Sequence, residues 1–375
     1  MQNGYGGIDT LTVFPVLYRL FFLFSEQTPV LLDAELGFVD TLECRNDFVS
    51  AFKHERRIFL KNTQNVLRAA AFLLGLILLL TGITWVFLPK NNTKEAGFDD
   101  TPCYGFLAER AHSLDVVFLG NSVPLFSVAP AVIWKEQGIP CYVCAQTSTA
   151  LVDADRFLQD FLKTQSPKVV MLETDAVFWK SDASQWEKQQ LAQRFPLLRF
   201  HENWKSVALS QLIRPIHYAN RVDSEGYRFT AETVPWTKGD YVDFSAAPEP
   251  APALSPEILK HIRSLCDENG ARLILFTAPN PKWYTYGKNR TLTQMAEELG
   301  VSYIDLNLKQ QELGLDWYRD TYDGGDHMNW RGAKKVSRYL GRYLAQTGLL
   351  TNQRDNPAYA DWNRQQEAFL TTAED

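Results

Sequence analysis

Short apolar runs that alternate with amphipathic segments constrain the fold of this chain of 375 residues more than any other feature. Each run is rich in β-branched residues and has the length of a buried strand, while the segments between them have helical periodicity. Such alternation predicts a parallel sheet with helices on both faces, joined by right-handed crossovers. We therefore expect a three-layer α/β/α domain over about residues 112–350. The predicted strands are Leu114–Leu119, Pro140–Cys144, Lys168–Glu173, Arg272–Thr277 and Val301–Leu306, and the predicted helices are 153–163, 256–268, 289–299 and 331–345.

One segment stands apart, because Ala69–Leu88 contains no charged residue. At 1.5 Å per residue, twenty helical residues cross a hydrocarbon core of roughly 30 Å, so we expect a transmembrane helix at 66–88. A cleavable signal peptide is the alternative. The apolar run is longer than the usual signal-peptide core and no small-x-small site follows it, which favours an uncleaved anchor. Basic residues precede the run, so the positive-inside rule places 1–65 in the cytoplasm and the chain after about residue 90 outside. These basic residues are Lys53, Arg56, Arg57, Lys61 and Arg68.

The remaining segments are a linker at 89–111, an insertion at about 178–255 and a polar tail at 351–375. The insertion is rich in aromatic residues and proline, and it either lines a substrate groove or serves packing alone. No function is assigned to the first 60 residues, whose apolar stretch is short and broken by Pro15 and Arg19. One hypothesis is that translation begins near Leu60. N-terminal sequencing of the native protein would test it, since a peptide from the first 50 residues would refute it.

Charge and cysteine content exclude several functions. The net charge is -6 and the acidic and basic residues are interspersed, so no basic face is available for a phosphate backbone and no nucleic-acid partner is expected. Five cysteines are too few and too scattered for a disulfide framework. Cys141 and Cys144 have the spacing of a redox or zinc half-site, but no second pair or nearby histidine completes it. We interpret both as small strand residues. The cysteines are Cys44, Cys103, Cys141, Cys144 and Cys266.

Ser122 follows the first predicted strand of the domain directly, in the sequence Leu-Gly-Asn-Ser at 119–122. Ligands of open parallel sheets bind outside the carboxyl ends of the strands. A serine hydroxyl is a weak nucleophile, so it needs a neighbouring base, a group that orients this base, and amide donors for the developing oxyanion. Either the chain merely turns here, or Ser122 is held at the sheet edge to react.

His327 is the candidate base, in a glycine-rich acidic loop between the last predicted strand and the last helix. Asp323 can fold back to accept a hydrogen bond from the histidine ring, whereas the adjacent Asp326 would more often point away, so we favour Asp323 as the orienting acid. Asn329 is the predicted cap of the next helix. A solvated turn or a weak calcium loop is the alternative, but the acidic residues lack the spacing of an EF-hand and no metal is expected.

At these residues the sequence resembles the SGNH (GDSL-like) hydrolase superfamily, over about 114–345. It is more narrowly similar to the membrane-anchored bacterial members related to the D-alanine transfer protein DltD and to polysaccharide O-acetylation proteins. The resemblance rests on "FLGNSVPLFSVAPAVIWKEQGIPCYV" and "YDGGDHMNWRGAKKVSRYLGRYL". It implies a flavodoxin-like SGNH domain with Ser122 as nucleophile, His327 as general base, and Asp323 or Asp326 as the acid of the triad.

The oxyanion and substrate-binding positions differ from the family pattern. The Gly-Asp-Ser of the first block is Gly-Asn-Ser here, with Asn121 in the middle position. Ser148 or Ala145 stands near the glycine of the second block, and Thr174 or Asp175 stands where the third block has asparagine. Each lost oxyanion donor lowers the rate by about 10²–10³, which favours a slow esterase or a transferase.

The resemblance implies a serine esterase or acyltransferase without a cofactor. It would act outside the membrane on small acyl esters, of acetyl or D-alanyl type, of a cell-envelope or secreted polysaccharide. The expected partners are a polysaccharide or acyl-carrier substrate and a membrane-bound O-acyltransferase. The alternative is a catalytically silent scaffold or glycan-binding component of an acylation complex.

Overall fold

The computed structural model describes residues 42–98, 102–206 and 214–374. The chain divides into two compact units, Met1–Gly82 and Ile83–Asp375. The apolar stretch around Pro15 and Arg19 lies outside the described residues, and the start of translation near Leu60 stays a hypothesis.

One long helix, α1 (Leu42–Phe87), opens the described part of the chain. Its portion Thr63–Phe87 has 25 residues, a mean hydropathy of 2.3 and exposed sides, so it is long and apolar enough to span a membrane. The predicted span at 66–88 falls almost wholly within it. The helix begins well before this span because no glycine or proline interrupts the chain between residue 42 and Gly75.

Five parallel strands form one sheet in the order β2-β1-β3-β4-β5, the order of flavodoxin-like doubly wound folds. Every strand lies within two residues of its predicted bounds, and the predicted α/β class with a parallel sheet is confirmed. The strands are β1 (Val116–Gly120), β2 (Cys141–Ala145), β3 (Val169–Glu173), β4 (Arg272–Thr277) and β5 (Ser302–Asp305).

Ten further α-helices occur in the described part of the second unit. They are α2 (Ser122–Ser127), α3 (Pro130–Gln137), α4 (Leu151–Leu162), α5 (Ala183–Arg194), α6 (Pro196–Phe200), α7 (Ser255–Glu268), α8 (Tyr286–Leu299), α9 (Gln310–Leu313), α10 (Trp330–Gln346) and α11 (Ala360–Glu374). Short 3-10 helices occupy Lys94–Ala96, Pro102–Ala108, Asp175–Phe178, His201–Ser206, Leu306–Lys309 and Pro357–Tyr359.

Both faces of the sheet are covered, which explains why the strands are continuous apolar runs in the sequence. In β1, Val117 and Leu119 face one core layer with α4, α7 and α8, while Val116 and Phe118 face the other with α3, α10 and α11. The whole of β1 is buried as a result. The carboxyl ends of the strands therefore form a rigid rim on which loops can place side chains.

The C-terminal segment differs from the expected polar tail. It contains α11, on which Trp362, Gln366 and Leu370 are buried against the domain. The Gln366 amide donates to Glu225 Oε1 at 2.9 Å. These three positions are spaced four residues apart and so share one helix face, but only two of them are apolar. Two apolar residues on one face give only a weak helical periodicity, so the sequence alone does not indicate that this helix packs on the domain.

Candidate active site

The site lies where the strand order reverses, between β1 and β3. Asn121 and Ser122 follow β1, and Thr174 and Asp175 follow β3. Loops diverge to opposite sides of the sheet at such a switch point, leaving a crevice in which ligands of open parallel sheets bind. Ser122 therefore lies where the sequence predicts it, at the carboxyl edge of the sheet.

The turn that carries Ser122 is tightly constrained. Gly120 has φ +153, and a Cβ at this position would lie 2.8 Å from Pro124 Cγ and 3.0 Å from Glu173 Cβ. The Asn121 side chain caps α2, because its Oδ1 accepts from the Val123 amide at 3.0 Å. Its Nδ2 donates to Asp175 Oδ2 at 2.7 Å, which joins the two loops of the switch point. Ser122 is consequently fixed as the first residue of α2.

Ser122, His327 and Asp323 form a continuous hydrogen-bonded chain. Ser122 Oγ lies 2.8 Å from His327 Nε2, although the two residues are 205 positions apart in the sequence. His327 Nδ1 lies 2.6 Å from Asp323 Oδ2, and the His327 backbone amide donates to Asp323 Oδ1 at 2.8 Å. When Nδ1–H donates to the carboxylate, Nε2 keeps its lone pair and can accept the serine proton.

The structure distinguishes between Asp323 and Asp326, the two alternatives for the acid that binds the histidine ring. Asp326 Oδ1 lies 3.9 Å from His327 Nδ1, beyond hydrogen-bond reach. Its carboxylate instead accepts from the Asn280 amide at 3.3 Å, the Lys282 ammonium at 3.2 Å and the Trp283 indole at 3.1 Å. Asp323, which the sequence favoured, is the acid that holds the histidine, and Asp326 holds the loop after β4.

Asp323 is suited to orient an imidazole because it remains ionised. Partial burial raises the pKa of Asp323, but the hydrogen bonds from the His327 ring and backbone outweigh it and hold the pKa below its ordinary value. The carboxylate is therefore charged throughout the neutral pH range. It can stabilise the imidazolium that forms when His327 accepts a proton.

Two aromatic rings pack against the histidine. The Phe126 centroid lies 5.0 Å from that of His327, and Tyr322 stacks at 5.8 Å with an interplanar angle of 25°. Phe126 and Tyr322 also contact each other at 5.0 Å. Only 13% of the His327 side chain is exposed.

The four predicted oxyanion or substrate-binding side chains do not all face Ser122. Asn121 Nδ2 is directed at Asp175, whose carboxylate also accepts from the Trp179 indole at 2.9 Å. Thr174 is buried, with Oγ1 2.6 Å from Thr277 Oγ1. Ser148 is exposed in the turn after β2, with φ +58. Asn121 and Asp175 thus support the Ser122 turn, and an oxyanion would have to take its hydrogen bonds mainly from backbone amides.

A small cavity of about 20 Å³, with room for about one water molecule, lies next to Val123 over the carboxyl ends of β3 and β4. Its lining residues come from the turns after β1, β3 and β4 and from α8, and they are mostly apolar or uncharged. They are Val123, Glu173, Thr174, Asp175, Phe178, Thr277, Ala278, Asn280, Trp283, Tyr284, Lys288, Asn289 and Leu292.

Glu173 is a buried acid beside this cavity. Burial and the neighbouring charge of Asp175 raise the pKa of Glu173 to about 8, although its oxygens accept from the amides of Asp175 at 2.9 Å and Ala278 at 3.2 Å. At neutral pH the side chain is mostly protonated. Its carboxyl group thereby ties the end of β3 to the start of the loop after β4 without adding a charge to the cavity.

The insertion packs on the His327 loop, residues 321–329, through backbone hydrogen bonds. The Val234 amide donates to Thr321 O at 3.2 Å, and the Gly324 amide donates back to Val234 O at 2.9 Å. The Trp330 amide donates to Thr230 O at 2.8 Å, at the start of α10. These bonds flank His327 on both sides of its loop. The sequence left two roles open for the insertion, lining a substrate groove or packing alone. Packing against the His327 loop is the role observed for residues 230–236.

The predicted cap of α10 is confirmed, and it also connects to the insertion. Asn329 Oδ1 accepts from the amides of Arg331 and Gly332, while its Nδ2 donates to Glu232 O at 3.1 Å and Arg319 O at 2.7 Å. The Asn329 side chain therefore connects the start of α10, the insertion and the His327 loop.

Sequence reasoning missed the residues that surround the triad. Trp283 and Lys282 donate to Asp326, and Phe126 and Tyr322 pack against the histidine. Glu173 accepts from the amides of Asp175 and Ala278. A usable signal existed for two of them. Glu173 is an acid at the end of an apolar strand, and Trp283 follows an Asn-Pro turn directly after β4, at the same edge of the sheet.

Asp323, Asp326 and His327 also place their ligand atoms within 4.8 Å of one another, as a small cation site would. Their hydrogen bonds to Ser122, Lys282 and Trp283 already use these atoms. Comparison with known protein families and with curated protein sequences found no match to this chain.

Proposed function

We propose that this chain is a membrane-anchored serine esterase or acyltransferase that acts on small acyl esters of a cell-envelope or secreted polysaccharide. The observation that carries the proposal is the chain of short contacts from Ser122 Oγ to His327 Nε2 and from His327 Nδ1 to Asp323 Oδ2. Nucleophile, base and orienting acid are the three groups that serine acyl transfer requires. Their position at the switch point of the sheet supports the same conclusion.

The reaction would proceed in two halves. His327 Nε2 takes the Ser122 proton as Oγ attacks the ester carbonyl carbon, and the histidine returns this proton to the departing alcohol. In the second half, a sugar hydroxyl or water attacks the acyl-serine, again with His327 as base. Asp323 holds the ring and balances its positive charge in both halves. The oxyanion would be bound by backbone amides of the turns after β1 and β2, since Asn121 and Asp175 bind each other.

We further propose that the catalytic domain is extracytoplasmic. Support comes from the excess of Lys and Arg before Ala69, which favours a cytoplasmic N-terminus for a single-pass helix. An anchor keeps the site near the membrane, where an acyl donor carried by a membrane protein or lipid would be found. The resemblance to the O-acetylation proteins suggests a membrane-bound O-acyltransferase as the source of the acyl group, with an acetyl or D-alanyl group as cargo.

A silent scaffold that binds glycan is the second candidate. The observation that favours it is the engagement of Asn121 and Asp175 with each other, which leaves fewer side-chain donors for an oxyanion than the family pattern has. The intact hydrogen-bonded chain at Ser122 favours the enzyme.

The experiment uses the full chain in detergent, labelled with a fluorophosphonate probe and assayed with p-nitrophenyl acetate. We expect labelling of Ser122 and turnover that falls by about 10³-fold or more in Ser122→Ala. Ser127→Ala is the matched control, because Ser127 lies on the same helix and its hydroxyl donates to Val123 O. Equal labelling and turnover in wild type and Ser122→Ala would exclude the enzyme and favour the scaffold.

A further inference from the structure

Two buried thiols outside the site lie against each other. Cys103 Sγ and Cys144 Sγ are 3.4 Å apart, and both residues are fully buried. Cys103 lies in the 3-10 helix Pro102–Ala108, and Cys144 lies in the edge strand β2. The surroundings are apolar, since both thiols belong to the core layer that contains Tyr104, Phe106 and Tyr142. A separation below van der Waals contact of two sulfurs leaves little movement before a bond can form.

The backbone on each side of the pair is fixed. The Tyr142 hydroxyl donates to Pro102 O at 2.6 Å, one residue before Cys103. A Cβ at Gly105 would lie only 2.2 Å from the Tyr142 hydroxyl, so the 3-10 helix rests directly on β2. These contacts, at Pro102 before Cys103 and at Gly105 after it, hold Cys103 against Cys144. The proximity of the two sulfurs is therefore a property of the packing and does not depend on a mobile segment.

The pair differs from the Cys-x-x-Cys spacing noted in the sequence. Cys141 faces the core layer on the other side of the sheet, with Val143 and Ala145, whereas Cys144 faces the layer that contains Cys103. Alternate side chains of a strand point to opposite faces, and an offset of three residues places the two thiols on different faces. Cys141 is a packing residue, as predicted, and Cys144 has a different partner.

We propose that Cys103 and Cys144 form a disulfide bond in the native protein. This inference rests on the proposed extracytoplasmic position of the domain, where thiols are oxidised and disulfides persist. The chemistry is thiol–disulfide exchange with an oxidised disulfide, either in a protein or in a small molecule. The two cysteines lose two protons and two electrons and gain one S–S bond, while the S–S bond of the oxidant breaks and its two sulfurs take up both electrons and both protons to become thiols.

The bond would close a loop that contains β1 and the Ser122 turn. It would also fasten the first segment of the domain after the linker to the edge strand β2, which has a single neighbour in the sheet. Closing a loop of this size restricts the unfolded chain and stabilises the folded one. We expect the melting temperature of the domain to fall by about 5–10 °C when the pair is replaced by Cys103→Ala and Cys144→Ala together.

The test counts free thiols in the full-length protein extracted from its native membranes. The protein is denatured without reductant, alkylated with iodoacetamide and weighed by mass spectrometry. The chain has five cysteines, so the proposal expects three alkylated thiols, and five after prior reduction. Proteolysis of the unreduced sample should release one cross-linked peptide that contains Cys103 and Cys144. Five alkylated thiols in the unreduced native protein would overturn the proposal.

Single variants identify the pair, since Cys103→Ala should leave all four of its remaining thiols reactive, whereas Cys266→Ala should leave only two. A parallel sample of purified, reduced protein is exposed to oxidised glutathione. If the native protein is unlinked but the glutathione-treated sample becomes linked, the proposal of a native disulfide fails because the domain occupies a reducing compartment. The proximity of the Cys103 and Cys144 thiols would still hold. If neither sample is linked, the proximity of the two thiols is itself contradicted. Esterase activity is measured separately, so neither result depends on the chemistry at Ser122.

Discussion

His327 makes a different contact on each part of its ring. Nε2 contacts the Ser122 hydroxyl, Nδ1 contacts Asp323, and the rings of Phe126 and Tyr322, which also contact each other, pack against the imidazole. A ring held in this way has one tautomer and one orientation that suit proton transfer, and both depend on Asp323. The proton-transfer geometry at the residue scale therefore rests on a single carboxylate.

The first prediction compares the two neighbouring acids. Asp323→Asn should lower kcat/KM for acetyl-ester hydrolysis by about 10³–10⁴-fold, because the amide favours the wrong histidine tautomer and cannot stabilise the imidazolium. Asp326→Asn should lower it by less than about 10-fold, since Asp326 contacts the loop after β4 and not the ring. Steady-state kinetics of both variants decide the question. A larger loss in Asp326→Asn than in Asp323→Asn would reverse our assignment of the triad acid.

At the scale of secondary-structure elements, the sheet could be predicted because most strands are buried apolar runs, except β5, whose first two residues are exposed or half-buried. Runs such as Lys168–Glu173 have no polar residue in their middle, and Gly120 and Pro279 follow the runs of β1 and β4 closely. The end of β1 could be placed near Ser122 for the same reason. The geometry of the Ser122 turn could not be, because it depends on Pro124, on Glu173 and on Asp175 from the neighbouring strand.

The second prediction concerns this turn. Gly120→Ala should destabilise the domain by roughly 1–3 kcal/mol and lower esterase activity, because the added Cβ meets Pro124 and Glu173 at a backbone conformation that disfavours side chains. The matched control is Gly300→Ala. Gly300 has φ +64 but no atom within 4 Å of its Cβ position, so it carries the backbone strain without the contact.

Thermal melts and initial rates of both glycine variants provide the measurement. Gly300→Ala should lose some stability and keep its activity, since this glycine caps α8 away from the site. If Gly120→Ala retained the activity and stability of the wild type, the close packing of the Ser122 turn would not matter to the site.

At the scale of the whole molecule, the packing of the insertion and that of the C-terminal helix could not be predicted from the sequence. The insertion packs through backbone hydrogen bonds at residues 230–236, and such bonds leave no pattern of side chains in the sequence. The C-terminal helix docks through a few residues, among them Trp362 and Gln366. Both contacts join segments that are distant in the chain, so local periodicity could not reveal them. The convergence of Ser122 and His327 was accessible because parallel topology sends every strand end to the same rim.

The third prediction is a pH dependence of global stability. The pKa of Glu173 is raised to about 8 in the folded protein, so folding favours its protonated form. Its contribution to stability is present below the ordinary pKa of a glutamate and is lost as pH rises through about 8. The unfolding free energy of wild type should therefore fall relative to that of Glu173→Gln between about pH 5 and pH 8, by up to about 1.4 kcal/mol per pH unit.

Urea unfolding of both proteins at four pH values in this range measures the difference. Glu257→Gln is the control, because 58% of the Glu257 side chain is exposed and its removal should not change the slope. Parallel curves for wild type and Glu173→Gln would mean that Glu173 is already ionised when folded.

The separation of 205 residues between Ser122 and His327 has a consequence for biosynthesis. The Ser122 hydroxyl emerges from the ribosome early and the His327 imidazole late, after the sequence of all five strands. A nascent or truncated chain that ends before the last crossover contains the alcohol but no base to activate it. Under the proposed serine mechanism, Ser122 should stay unactivated during synthesis until the loop that carries His327 packs against the turn after β1.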